Sequence, residues 1–285
     1  MISDTQFNKE LELIIDNAIR EDVGEGDHSS LACIPPDAMG KAKLLVKDTG
    51  ILAGVDFAVM VFKQVDPAME VDVYLMDGTP VNPGDVAFHV SGSSQSILKC
   101  ERLVLNAMQR MSAIATKTKK YVDILKGTNT KILDTRKTTP GIRALEKWAV
   151  KIGGGENHRF ALYDMIMLKD NHIDFAGGIT QAITKTHEYL KANNLFLQII
   201  VEARDIDEVR EILKTGGVQR ILLDNFNYDQ TREAVALIGD KFQTESSGGI
   251  NEETMRYYAE CGVDYISSGA LTHSVYNMDL SLKAI

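Results

Sequence analysis

Ile132-Leu133-Asp134-Thr135-Arg136-Lys137-Thr138-Thr139-Pro140-Gly141 sets two adjacent cations and several hydroxyls straight after a short apolar run and closes on a Pro-Gly break. Cations at a strand end followed by a turn form an anion receptor rather than a packing element. Further on, Gly153-Gly154-Gly155-Glu156-Asn157-His158-Arg159 ends on an imidazole and a guanidinium. Ile166-Met167-Leu168-Lys169-Asp170-Asn171-His172 repeats the pattern of apolar run and cation. Three such units close together in an acidic chain require an anionic ligand.

The residues after the later apolar runs are Glu202, Asp224, Ser246 with Ser247, and Ser267 with Ser268. They sort by chemistry. Arg136, Lys137, His158, Arg159 and Lys169 supply positive charge for carboxylate or phosphate, and arginine can bind such groups bidentately. Glu202 and Asp224 offer two carboxylates suited to Mg²⁺ or to sugar hydroxyls. Ser247-Gly248-Gly249-Ile250 and Ser267-Ser268-Gly269-Ala270 place hydroxyls and small residues before a helix or turn, where backbone N–H groups cradle phosphate. The set asks for a phosphorylated sugar, a divalent cation and a second ligand rich in carboxylate. These residues alone do not define the reaction.

Bulk properties narrow the class. A net charge of -9 and a pI near 5.2 argue against a nucleic-acid binder, so the local basic cluster is an exception on an acidic background. Cys33, Cys100 and Cys261 are far apart and in no paired motif, which predicts free thiols rather than a disulfide framework or zinc site. The N-terminus lacks a basic region followed by an apolar one, and no apolar run approaches the ~18 residues of a membrane span. A soluble, cytoplasmic protein with no membrane partner is expected.

The elements that must position these residues can be read from periodicity. Leu11, Ile14, Ile15, Ala18 and Ile19 predict an amphipathic N-terminal helix over 7–20, followed by an acidic, glycine-rich loop whose carboxylates suit turns and helix caps better than metal. Short strands and one helix follow to residue 92, with a turn-rich segment at 77–85. That segment is similar in spacing to the hairpin of biotinyl and lipoyl carrier domains but lacks their tip lysine. Residues 93–126 read as one long helix or two, with Arg102 as a surface salt bridge. After Gly127 the pattern becomes strand, loop, helix, and the last four strands recur at about 22-residue intervals, the period of a parallel β/α barrel. Ligand chemistry in such a barrel collects where the strands end.

On these motifs the sequence resembles the quinolinate phosphoribosyltransferases, the decarboxylating nicotinate-nucleotide pyrophosphorylases. The residues that carry the likeness are Glu21-Asp22-Val23-Gly24 with Gly26-Asp27, Glu101-Arg102, the segments 134–141, 153–159, 168–172 and 245–250, and Gly269-Ala270-Leu271-Thr272-His273-Ser274. The resemblance implies an α/β protein: an N-terminal α/β sandwich over 1–115, onto which the tail 275–285 packs, and an incomplete parallel β/α barrel of about seven strands over 116–274. It implies a homodimer in which Arg102 enters the neighbouring subunit's site, replacing the salt-bridge reading.

The implied reaction joins quinolinate to 5-phosphoribosyl-1-diphosphate and releases diphosphate and CO₂, giving nicotinate mononucleotide for NAD biosynthesis. Catalysis would fall to Lys137, Lys169, Glu202 and Asp224, with Mg²⁺ held near the last two. Arg102, Arg136, His158 and Arg159 would grip the two carboxylates beside Thr135, while Lys137 and Lys169 neutralise charge. Ser247, Gly248 and Gly249 with Ser268, Gly269 and Ala270 would hold the 5-phosphate.

Other classes compete. Lys169 could be the Schiff-base lysine of an aldolase, which would need an apolar pocket. A paralogous phosphoribosyltransferase-like protein could use another acceptor or bind without turnover. A carrier or interaction module built on 77–85 would leave the barrel unexplained.

Overall fold

The computed structural model describes residues 3–285. In chain order the elements are α1 (Asp4–Val23), α2 (His28–Cys33), β1 (Met39–Val46), β2 (Gly50–Ile51), α3 (Val55–Val65), β3 (Glu70–Val73), β4 (Pro80–Val81), β5 (Val86–Ser93) and α4 (Ser94–Ile124). There follow β6 (Lys131–Leu133), α5 (Arg143–Ile152), β7 (Ile166–Leu168), α6 (Asp170–Ala176), α7 (Ile179–Ala192), β8 (Ile199–Ala203), α8 (Ile206–Thr215), β9 (Arg220–Asp224) and α9 (Tyr228–Ile238). The chain ends with β10 (Gln243–Ser247), α10 (Met255–Glu260), β11 (Tyr265–Ser267), α11 (Ala270–His273) and β12 (Leu280–Ala284).

Two compact units result. One comprises Ser3–Lys119, Lys137–Gly154 and Leu271–Ile285; the other comprises Lys120–Arg136 and Gly155–Ala270. The loop after β6 and all of α5 belong to the unit that also contains Ser3–Lys119.

In the first unit, α1 buries Leu11, Ile14 and Ile15 on the stripe that their spacing predicts. The acidic loop after it makes a helix cap: Asp27 accepts from the Ser30 N–H at 3.1 Å and starts α2. The antiparallel sheet has the order β12-β1-β5-β3, with Leu44 opposite both Phe88 and Leu282. Segment 77–85 connects β3 to β5 and carries β4, which pairs with β2. Residues 94–124 form one continuous helix.

The second unit holds a six-stranded parallel sheet in the order β6-β11-β10-β9-β8-β7. Glu156 adds a single parallel bridge to Leu133, so among the described residues a seventh position is marked by one residue rather than a strand. Every residue of β8 is buried, as expected for a strand covered on both faces. Register partners in a parallel pair face the same side. Glu202 and Glu245 both align with Leu222, and Asp224 aligns with Ser247, so Glu202, Asp224, Glu245 and Ser247 share one face, with Thr244 and Ser246 on the other.

Candidate active site

Asp134 leaves β6 completely buried, and its carboxylate organises the segment that follows α5. It accepts from the His158 N–H at 2.8 Å and from the Asn157 side-chain amide at 2.6 Å. Pairing of Glu156 with the β6 backbone adds a second constraint, with Glu156 N–H donating to Ile132 O at 2.9 Å. His158 and Arg159 are thereby set in the same unit as Arg136, and both are buried. The Nε of Arg136 is buried without a hydrogen-bond partner. Burial, and then the charge of Arg136, lower the Arg159 pKa from its ordinary value. Two guanidiniums that repel each other in a desolvated setting are what an anionic ligand would relieve.

The ring of His158 has a different neighbourhood from the one expected for a carboxylate ligand. Its Nδ1 accepts from the Arg159 N–H at 2.7 Å, so the remaining ring proton lies on Nε2, which stands 3.4 Å from Glu245 Oε2. Glu245 also receives Arg220 Nη1 at 2.8 Å, and that guanidinium lies over the Tyr265 ring at 3.9 Å. Burial raises the Glu245 pKa, but His158, Arg220 and Ser267 outweigh it and hold the carboxyl at about 2. Glu245 lies inside the 245–250 motif, yet sequence alone offered no reason to pair it with residues 87 and 25 positions earlier.

Lys169 follows β7 with its side chain half exposed, and its Nζ lies 3.4 Å from Glu202 Oε2. Burial raises the Glu202 pKa; Lys169 pulls it down and the charge of Asp224 pushes it up. A second carboxylate this close to a buried one is the kind of frustration that a cation relieves. Asn225, which the sequence reading missed, donates to Asp224 Oδ2 at 2.7 Å and orients it. Among the described residues no group of three or more His, Cys, Asp or Glu side chains could hold a metal. The pair Glu202 and Asp224 therefore fits Mg²⁺ only as an ion that keeps waters and substrate oxygens in its shell, its usual mode. The carboxylates around Lys169 also give it none of the apolar surroundings that a Schiff-base lysine needs.

The two small-residue loops follow β10 and β11 in the same unit. Gly248 has φ 98° and Gly249 φ 62°, a conformation that an L side chain resists. A Cβ on Gly248 would also collide with the Asn225 side-chain carbonyl. The Asn225 N–H donates to Ser247 O at 2.9 Å, tying this loop to the end of β9. After β11, the Ser268 N–H donates to Leu133 O at 3.0 Å, and Gly269 and Ala270 are half-buried. Gly248→Ala is expected to weaken binding of a phosphate-bearing substrate about tenfold through strain of order 1–3 kcal/mol, with little change for a carboxylate substrate held by the arginines. Initial rates against each substrate check this, and equal effects on both would reject a phosphate role for the loop.

Lys137 and Arg102 belong to the other unit. Arg102 is exposed on α4 and makes no ion pair among the described residues, so the surface salt bridge is not formed. Lys137 is exposed at the start of a loop held from beneath by Glu146 and Arg110, neither of which the sequence reading singled out. Thr135 is half-buried beside Arg136.

With this geometry in view, comparison with known proteins is direct. Residues 27–112 match the family model described as quinolinate phosphoribosyl transferase, N-terminal domain, and residues 114–283 match the corresponding C-terminal domain. The chain belongs to the quinolinate phosphoribosyltransferase family. A mitochondrial quinolinate phosphoribosyltransferase [decarboxylating] 2 of Nicotiana glauca is 45% identical over 96% of this chain and 82% of that protein. The probable nicotinate-nucleotide pyrophosphorylase [carboxylating] of Bacillus subtilis is 38% identical over 96% of this chain and 93% of that protein. The crystal structure of NadC from Streptococcus pyogenes superposes with a TM-score of 0.89 at 36% identity, covering 100% of this chain and 99% of that one.

Proposed function

We propose that this chain is a pentosyltransferase that joins quinolinate to 5-phosphoribosyl-1-diphosphate, releasing diphosphate and CO₂ and forming nicotinate mononucleotide, a step of de novo NAD biosynthesis. The observation that carries this reading is the pair of guanidiniums on half-buried Arg136 and buried Arg159, in one unit with two phosphate-type loops and the Lys169–Glu202–Asp224 group. The activities for which its relatives are named support it.

In this reading Arg136 and Arg159 take the carboxylates of quinolinate. His158, whose Nδ1 accepts from the Arg159 N–H and whose Nε2 faces Glu245, would orient Arg159 rather than grip the acid itself. Lys169 and Lys137 neutralise carboxylate and diphosphate charge. Ser247, Gly248 and Gly249 with Ser268, Gly269 and Ala270 hold the 5-phosphate through backbone N–H groups. Glu202 and Asp224 would hold Mg²⁺, which when bound supplies positive charge to the leaving diphosphate. The same carboxylates would stabilise an oxocarbenium-like ribose before the pyridine nitrogen captures it. Breaking the bond to the neighbouring carboxylate leaves its electron pair on the ring carbon, which the quaternised nitrogen stabilises; a proton then replaces CO₂. The protein's share is positioning and preorganised charge. Arg102, exposed on α4, enters the site of a second copy in a homodimer. No helix of the described residues is long and apolar enough to cross a membrane, and the three free cysteines suit the reducing cytoplasm.

The reading is tested by supplying purified protein with Mg²⁺, phosphoribosyl diphosphate and either quinolinate or nicotinate, then measuring nucleotide and CO₂. Product from quinolinate alone is expected. Product from nicotinate would remove the need for a two-carboxylate receptor, and no product from either would favour a paralogue with another acceptor.

A further inference from the structure

Within the unit that contains Lys137, α5 and the tail, one carboxylate holds more partners than packing explains. Glu146 lies in the first turn of α5 and is completely buried. Its Oε1 accepts from Arg110 Nε at 3.0 Å, from Arg110 Nη2 at 2.9 Å and from the Thr139 hydroxyl at 2.8 Å. Its Oε2 accepts from the Thr139 N–H at 3.0 Å. Arg110 Nη2 also donates to the Thr272 carbonyl, and the Thr272 hydroxyl donates to the Lys137 carbonyl at 2.9 Å. Arg143, at the start of the same helix, donates from Nε to the Thr138 hydroxyl at 2.9 Å.

These bonds form a closed circuit. From Lys137 it runs through Thr272, Arg110 and Glu146 to Thr139, and two peptide units return it to Lys137. The loop 137–141 is otherwise a polar turn with Pro140 and a left-handed Gly141, φ 86°, and has no regular secondary structure to hold it. A buried ion pair is a poor device for stability, since well-packed apolar residues of the same volume often serve as well or better. It is a good device for fixing geometry, because four directed bonds converge on one rigid carboxylate.

We infer that Glu146, through Arg110 and Thr139, is a positioning residue for Lys137. Neither Glu146 nor Arg110 was among the residues expected to touch substrate. The inference deepens the proposed function and rests on the reading of Lys137 as a charge-neutralising group.

The experiment is a double-mutant cycle in the full chain, using Lys137→Ala, Glu146→Gln and both together. The measurements are kcat and KM for each substrate and thermal unfolding of each variant. Displacing a catalytic cation by about an ångström costs on the order of 100-fold. Glu146→Gln is therefore expected to lower kcat by about that factor, with a much smaller change in the KM for quinolinate. The double variant is expected to be no slower than Lys137→Ala alone, because the lost positioning no longer has an object. Thr139→Val, which removes one donor and spares the ion pair, is expected to fold as wild type and to show a smaller loss that also vanishes on the Lys137→Ala background. It carries the test if Glu146→Gln does not fold. Losses that multiply in the double variants, or Glu146→Gln and Thr139→Val turning over as wild type, would overturn the inference. A Lys137→Ala enzyme as active as wild type would remove the proposed role of Lys137 itself, and the inference with it.

Discussion

Arg136→Ala is expected to raise the KM for quinolinate by about 100-fold or more while leaving the protein folded, since loss of one member of a desolvated charge pair costs about 2–5 kcal/mol. The cause is what Arg136 lacks in the free protein. Its Nε is buried with no hydrogen-bond partner, and its charge adds to the burial that already lowers the Arg159 pKa. Such an arrangement does not serve folding, so removing the side chain should not lower the unfolding temperature and can raise it by relieving Arg159. Quinolinate would normally supply the missing anion, and without Arg136 its carboxylate would be buried with one bidentate partner fewer. Steady-state kinetics with each substrate and a thermal melt of the same preparation decide the matter. An unchanged KM for quinolinate, or a variant that fails to fold, would remove Arg136 from the receptor.

The second large effect concerns stability. Glu245→Ala should destabilise the protein by about 3–5 kcal/mol, because Arg220 and His158 would lose the carboxylate that they surround. The pH dependence has a definite sign. Glu245 has its pKa lowered from 4.5 to about 2 in the folded chain, so the folded state holds the charged form more tightly than the unfolded state does. The resulting stabilisation, about 3 kcal/mol, is fully present above the unfolded value and is lost as pH falls towards about 2. Urea unfolding from pH 7 downwards should show this slope in the wild type. Glu245→Gln, which keeps the shape but cannot titrate, should lose it. Parallel curves for the two proteins would mean that another carboxylate governs acid unfolding.

These two residues mark the limit of sequence reading. Arg136 was legible because a cation pair after an apolar run and before Pro-Gly is a local pattern, set within ten residues. Glu245 was not, because a carboxylate inside a strand carries no sign of which charges will meet it. The same division runs through the fold. The amphipathic helix α1, the helices after β8 and β9, and all six parallel strands follow from periodicity and glycine breaks. The reduction of a seventh strand to the single bridge of Glu156 depends on its hydrogen bonds with the Ile132 carbonyl and the Asp134 N–H, which no local pattern encodes.

Local sequence set the element types, the ends of the strands and the residue chemistry gathered there, since each depends on neighbours a few positions away. Two things were decided only in three dimensions. The ring of His158 faces Glu245, and the loop of Lys137 is held by Glu146 and Arg110 through contacts that reach as far as Thr272. Each is a polar contact, at least partly desolvated, whose free energy exists only after the chain has brought distant residues together and excluded water from between them.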